Sequence, residues 1–125
     1  MYKEITVPYG HESLTLRIPA ANLAWVVGPR DVPPVDDLPE AVRAAIRSPI
    51  GAPKLPELVA RHGTDTVILV DDGTRSTPQS QILPTLLEEL NDAGVPDSDV
   101  TALIARGTHR PMTEGEILSH YGEEA

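Results

Sequence analysis

At 125 residues the chain is long enough for one domain that buries somewhat under ~70% of its unfolded surface. Its 40% apolar and 23% charged residues are those of an ordinary globular protein, but with one Trp, three Tyr and no Phe the core must rest on Leu, Val, Ile and Ala. A formal net charge of −9, with Lys3 and Lys54 the only lysines and the arginines scattered, argues against a nucleic-acid surface, which needs clustered cations to neutralise phosphates. No apolar run approaches the length of a membrane span, and Met1-Tyr2-Lys3-Glu4 lacks the apolar region of a signal peptide. Without cysteine, disulfides and thiolate metal sites are excluded. No nucleic-acid or membrane partner is expected, and a cytoplasmic location follows by default.

The chain opens with two extended stretches, Glu4 to Pro8 and Ser13 to Ile18, joined by Tyr9-Gly10-His11-Glu12 in a hairpin-like start. Leu23 to Val27 is a third candidate strand, ending at Gly28-Pro29. Four prolines between Pro29 and Pro39 make the next stretch an irregular connector. Pro39 falls in the first turn of a helix running to about Arg47, with Ala41, Val42, Ala45 and Ile46 on one face. A second helix is expected over Leu55 to His62, stopped by Gly63.

The second half is more regular. Thr66-Val67-Ile68-Leu69-Val70 reads as a strand buried on both faces of a parallel sheet. Thr77 is placed to cap a helix with Pro78 at its first position and the stripe Ile82, Leu83, Leu86, Leu87, Leu90. Val100 to Ala105 is the next strand, and Thr113-x-x-Glu116 forms a capping box for a helix to about Tyr121. The fold class expected is α/β: a parallel-sheet βαβα unit over residues 64–125, preceded by a β-rich start and two helices over 1–63, in one domain. The stop just after a helix suggests part of a larger domain, a fragment or an excised piece, which leaves open self-association into a homo-oligomer through exposed apolar surface.

In a parallel sheet, ligands bind outside the carboxyl ends of the strands. Two polar loops leave such ends: Asp71-Asp72-Gly73-Thr74-Arg75-Ser76-Thr77-Pro78 and Arg106-Gly107-Thr108-His109-Arg110-Pro111. Arg75 presents a planar fork for a carboxylate or phosphate, beside the helix start near Pro78 with its free N–H groups. His109 is of the residue type that suits proton exchange with a substrate. Asp72 suits orienting an arginine or accepting from a ligand hydroxyl. Each has a plainer reading: Asp72-Gly73 as turn residues, Arg75 as a surface ion pair, His109 as a bond to a loop carbonyl, Arg106 and Arg110 as solvated or paired cations. His11, His62 and His120 have no partner at metal-ligand spacing and read as structural. Periodicity alone leads to an anion-binding α/β unit.

These two loops resemble a known family. Asp72-Gly73-Thr74-Arg75 followed by Pro78 is similar to the Asp-x-Thr-Arg loop of the nickel-dependent lactate racemases. Ala105-x-Gly107-Thr108-His109-Arg110-Pro111-Met112-Thr113, with Glu116 and Tyr121-Gly122, is similar to that family's Ala-Thr-Gly-Thr-His-Arg-Pro block. Pro49-Ile50-Gly51 with Leu55 and Leu58 resembles the segment before its first central strand. The resemblance implies an isomerase that inverts C2 of a 2-hydroxy acid by hydride transfer to a nickel-pincer nucleotide, with histidine as general base. It implies His109 as one of two catalytic bases. Arg75 and Asp72 would belong to the substrate and cofactor pocket, with Thr74, Thr108 and Arg110 at motif positions that shape the loops or bind ligand.

Two departures stand out. Arg106 replaces a common Thr, either altering substrate preference or pointing away from the pocket. The family's second histidine, its cofactor-anchoring lysine and its nickel-binding histidine lie downstream of the His-Arg-Pro block, where this chain has no lysine and only His120. The 125 residues alone are therefore expected to be folded but inactive, with no metal ligands of their own. The alternatives are a non-catalytic anion- or nucleotide-binding module derived from that fold, and a haloacid-dehalogenase-like phosphatase suggested by Val67 to Thr74. The phosphatase motif separates its aspartates by one residue, whereas Asp71 and Asp72 are adjacent, and its downstream lysine is missing.

Overall fold

The computed structural model describes residues 1–10 and 12–123 and divides them into two compact units, 1–34 and 35–125. His11, placed in a turn by the sequence, lies outside the described residues.

In the first unit β1 (Tyr2–Tyr9) and β2 (Glu12–Pro19) pair antiparallel, with Ile5 opposite Leu16 and Val7 opposite Leu14. Gly10 has φ +60, the conformation a tight hairpin turn requires. Alternation puts Ile5, Val7, Leu14, Leu16 and Ile18 on one face. The other carries Glu4 and Arg17, 3.8 Å apart, with the Arg17 guanidinium 5.2 Å from the Tyr2 ring centroid. The third strand expected at Leu23 to Val27 does not form. A 3-10 turn at Ala20–Asn22 follows β2, and Trp25, Val26 and Val27 are exposed without a ladder partner. Strand propensity cannot hold a segment whose backbone groups find no neighbouring strand.

In the second unit α1 (Leu38–Arg47) starts at Asp37, whose carboxylate accepts from the Glu40 amide at 2.9 Å, and α2 (Leu55–His62) ends at Gly63 with φ +86. Then come β3 (Thr66–Val70), α3 (Gln79–Asp92), β4 (Val100–Ile104) and α4 (Glu114–Tyr121). β3 and β4 are parallel neighbours in register from Thr66–Val100 to Val70–Ile104, as the βαβα reading requires. The capping box is present: Thr113 accepts from the Glu116 amide while Glu116 accepts from the Thr113 amide at 2.8 Å.

The core gathers Val70, Leu83 and Tyr121, with Ile68, Ile104, Met112 and Ile117 packed around them. Helices cover the face of β3 that carries Ile68 and Val70. Val67, Leu69 and Leu103 are more than half exposed, so the strand expected to be buried on both faces is buried on one. One other expectation shifts. The α3 start lies one residue later than read, because the Thr77 hydroxyl donates to Asp71 rather than capping the helix. Glu89 joins Leu83 and Leu90 on the buried side of α3, where Arg43 (2.8 Å) and Arg47 (2.7 and 2.8 Å) of α1 hold its carboxylate. No helix of the described residues is long and apolar enough to cross a membrane.

Candidate functional site

Because β3 and β4 are parallel and adjacent, the loops that follow them leave the same rim, joined at the root where the Ala105 amide donates to the Val70 carbonyl at 2.8 Å. Asp72 is nearly buried, and its carboxylate connects the loops. Oδ1 accepts from the Thr74 hydroxyl at 2.6 Å and the Thr74 amide at 3.2 Å, closing an Asx turn. Oδ2 lies 2.5 Å from Nδ1 of His109. The Thr74 hydroxyl and then the His109 imidazole hold the Asp72 carboxyl at a pKa of about 2, against the opposing effect of burial.

An ionised carboxylate only accepts, so Nδ1 of His109 carries the proton. In the neutral imidazole Nε2 then holds the free lone pair. The side chain is 48% exposed, which leaves that nitrogen open to a ligand. The backbone delivers His109 through a tight turn: its amide donates to the Arg106 carbonyl at 3.0 Å, and Gly107, with φ +56, occupies the position a side chain would strain.

Arg75 is placed by its loop. Its amide donates to the Asp72 carbonyl at 3.0 Å, and its exposed guanidinium has no hydrogen-bond or ion-pair partner among the described residues. Gly73 packs beneath, where a Cβ would sit 3.4 Å from Met112 Cε of the second loop. The remaining residues singled out from sequence divide differently. Thr74 is spent on Asp72. Thr108 is exposed. Arg110 forms a two-pronged pair with Glu116 (2.9 and 2.6 Å), which occupies the guanidinium at the start of α4. Arg106 turns back on its own loop, donating to the His109 carbonyl at 2.5 Å.

Sequence reading gave Asp71 no partner and took His120 as structural, and the structure brings the two together. The Asp71 carboxylate accepts from the Thr77 hydroxyl, from Gln79 Nε2 at 2.9 Å, and faces His120 Nε2 at 3.3 Å, while its carbonyl accepts from the Tyr121 hydroxyl at 2.6 Å. Two aspartates in succession at a strand end were the available signal, since successive side chains of an extended chain project to opposite sides. Among the described residues no group of three or more His, Asp and Glu side chains is placed to hold a metal ion.

The chain is 35% identical to the lactate racemase of Lactiplantibacillus plantarum and 30% identical to that of Thermoanaerobacterium thermosaccharolyticum, each over 122 residues. These alignments cover 96% of this chain but only 28% of each relative, so the chain spans little more than a quarter of their length. The family model described as the lactate racemase N-terminal domain matches residues 9–125, and the chain belongs to that family.

Proposed function

We propose that the chain is the N-terminal, substrate-facing part of a cytoplasmic racemase or epimerase acting at C2 of a small 2-hydroxy acid. The observation that carries this reading is the Asp72–His109 couple, with an uncommitted Arg75 on the loop that holds Asp72. The guanidinium supplies a forked donor for the substrate carboxylate. Nε2 of His109 takes the proton of the C2 hydroxyl and returns it, while Asp72 keeps the other ring nitrogen protonated and stabilises the imidazolium that forms. Asp72, with every partner internal to the loops, is assigned to orienting His109 rather than to touching substrate. Thr74 shapes its loop, and Arg110 fixes the start of α4.

Among the described residues no group of three or more His, Asp and Glu side chains is placed to hold nickel, so these side chains are assigned the proton-transfer half of the reaction alone. The chain by itself is accordingly expected to be folded, inactive and at most a weak binder of small carboxylates. Its short span of the racemases it matches favours that binding-module behaviour for the isolated 125 residues. The test uses the full-length product loaded with cofactor and assayed on a panel of chiral 2-hydroxy acids. His109→Ala should remove turnover, while Arg75→Ala should raise KM, and Arg75→Lys should restore it only in part because an ammonium lacks the fork. Unchanged turnover in His109→Ala, or racemisation by the 125 residues alone, overturns the assignment.

A further inference from the structure

We infer that His120 is a positioning residue for the arginine loop, acting through Asp71 as the second of two imidazole–carboxylate couples built back to back on adjacent residues. Asp71 and Asp72 leave the end of β3 in succession. Asp72 reaches His109 in the second loop, and Asp71 reaches His120 on α4. The His120 side chain is 15% exposed and lies edge-on to the Tyr121 ring, at 4.9 Å between centroids. Tyr121 is part of the core and bonds the Asp71 carbonyl, so α4 grips Asp71 at both its backbone and its carboxylate.

The same carboxylate holds the far end of the loop. It accepts from the Thr77 hydroxyl and from the side-chain amide of nearly buried Gln79, at the start of α3. The exposed segment 73–76 is thereby pinned before and after, on the near side by Asp72 and on the far side by Asp71. Arg75 has no side-chain partner among the described residues, so the course of this backbone sets the point from which its guanidinium reaches out. His120 stands behind that placement without approaching the ligand, and the consequence for catalysis rests on the reading of Arg75 as the carboxylate binder.

Amide hydrogen exchange on the 125-residue chain tests the positioning directly. His120→Ala should speed exchange at the Arg75 and Gln79 amides by about fivefold or more, leaving the Leu58 amide of α2 unchanged. Asp71→Asn should give the same local pattern, and His120→Gln, which keeps an N–H donor, should return both amides to within about twofold of the original. In the full-length racemase, His120→Ala should raise KM for lactate by about tenfold and leave kcat within about twofold. Unchanged exchange at Arg75 and Gln79 in both loss variants overturns the proposal. So does a loss of protection that includes Leu58 and is not rescued by glutamine. Local loosening with KM unmoved would uphold the positioning and refute Arg75 as the carboxylate binder.

Discussion

Asp72 shows how little distinguishes a plain turn residue from the partner of a histidine. Its Asx turn through Thr74 is what an Asp-Gly-Thr loop would make anywhere, and the other oxygen, reaching His109, is what gives the turn a chemical consequence. Asn at this position fits the same space but carries an amide that donates, so Asp72→Asn should move the His109 proton from Nδ1 to Nε2. Nitrogen chemical shifts of the imidazole report this directly, and kcat of the full-length enzyme should fall by roughly 10²- to 10⁴-fold with KM little changed. Of the residues singled out from sequence, His109 and Arg75 stand exposed on one rim, and Asp72 is legible as an acid but not as a partner of histidine. Arg110 could not be assigned from sequence, because only the start of α4 shows that Glu116 lies within reach of it.

At the scale of elements, local signals worked where one segment contains all the relevant atoms. The Thr113–Glu116 box and the glycine at the end of α2 each need only neighbouring residues. They failed where the partner lies far along the chain. Leu23 to Val27 has strand composition but no strand to join, and the Glu89 carboxylate finds its partners only because α1 brings two arginines to it. Removing the Glu89 carboxylate leaves the Arg43 guanidinium, only 26% exposed, without its buried counter-charge. Glu89→Ala should therefore lower Tm by roughly 5 °C or more, whereas Glu88→Ala, at an exposed ion pair, should change it by less than about 2 °C. Thermal melts by circular dichroism separate the two.

Across the whole molecule, several carboxylates share one consequence for pH. The Thr74 hydroxyl and His109 hold Asp72, and the Arg110 pair and Thr113 hold Glu116, each at about 2; Asp71 and Glu89 are also lowered by their donors. Between these values and the ordinary carboxylate range the unfolded chain binds more protons than the folded one, so stability rises with pH across that window. The contribution is fully present above about pH 5 and is lost as the pH falls toward about 2. Urea midpoints measured through this range should decline steeply, and Asp72→Asn should flatten part of the decline. A midpoint independent of pH would show that these contacts do not form in solution. In the interior, Leu83→Ala should cost about 2–4 kcal/mol, because Val70 and Tyr121 lose the side chain that lies against them.

What the sequence determined by itself was most of what has a short period or a short reach: helix and strand identity in the second half, the Thr113–Glu116 capping box, and the two polar loops placed after strands. Hydrophobic periodicity and turn chemistry are local properties, encoded within a few residues. Tertiary structure decided which of those loops' side chains meet. Parallel pairing of β3 with β4 brings His109 to Asp72 across 37 positions of chain, and the docking of α4 brings His120 to Asp71 across 49. Contacts of that separation depend on the packing of whole elements, and no spacing of residues along the chain announces them.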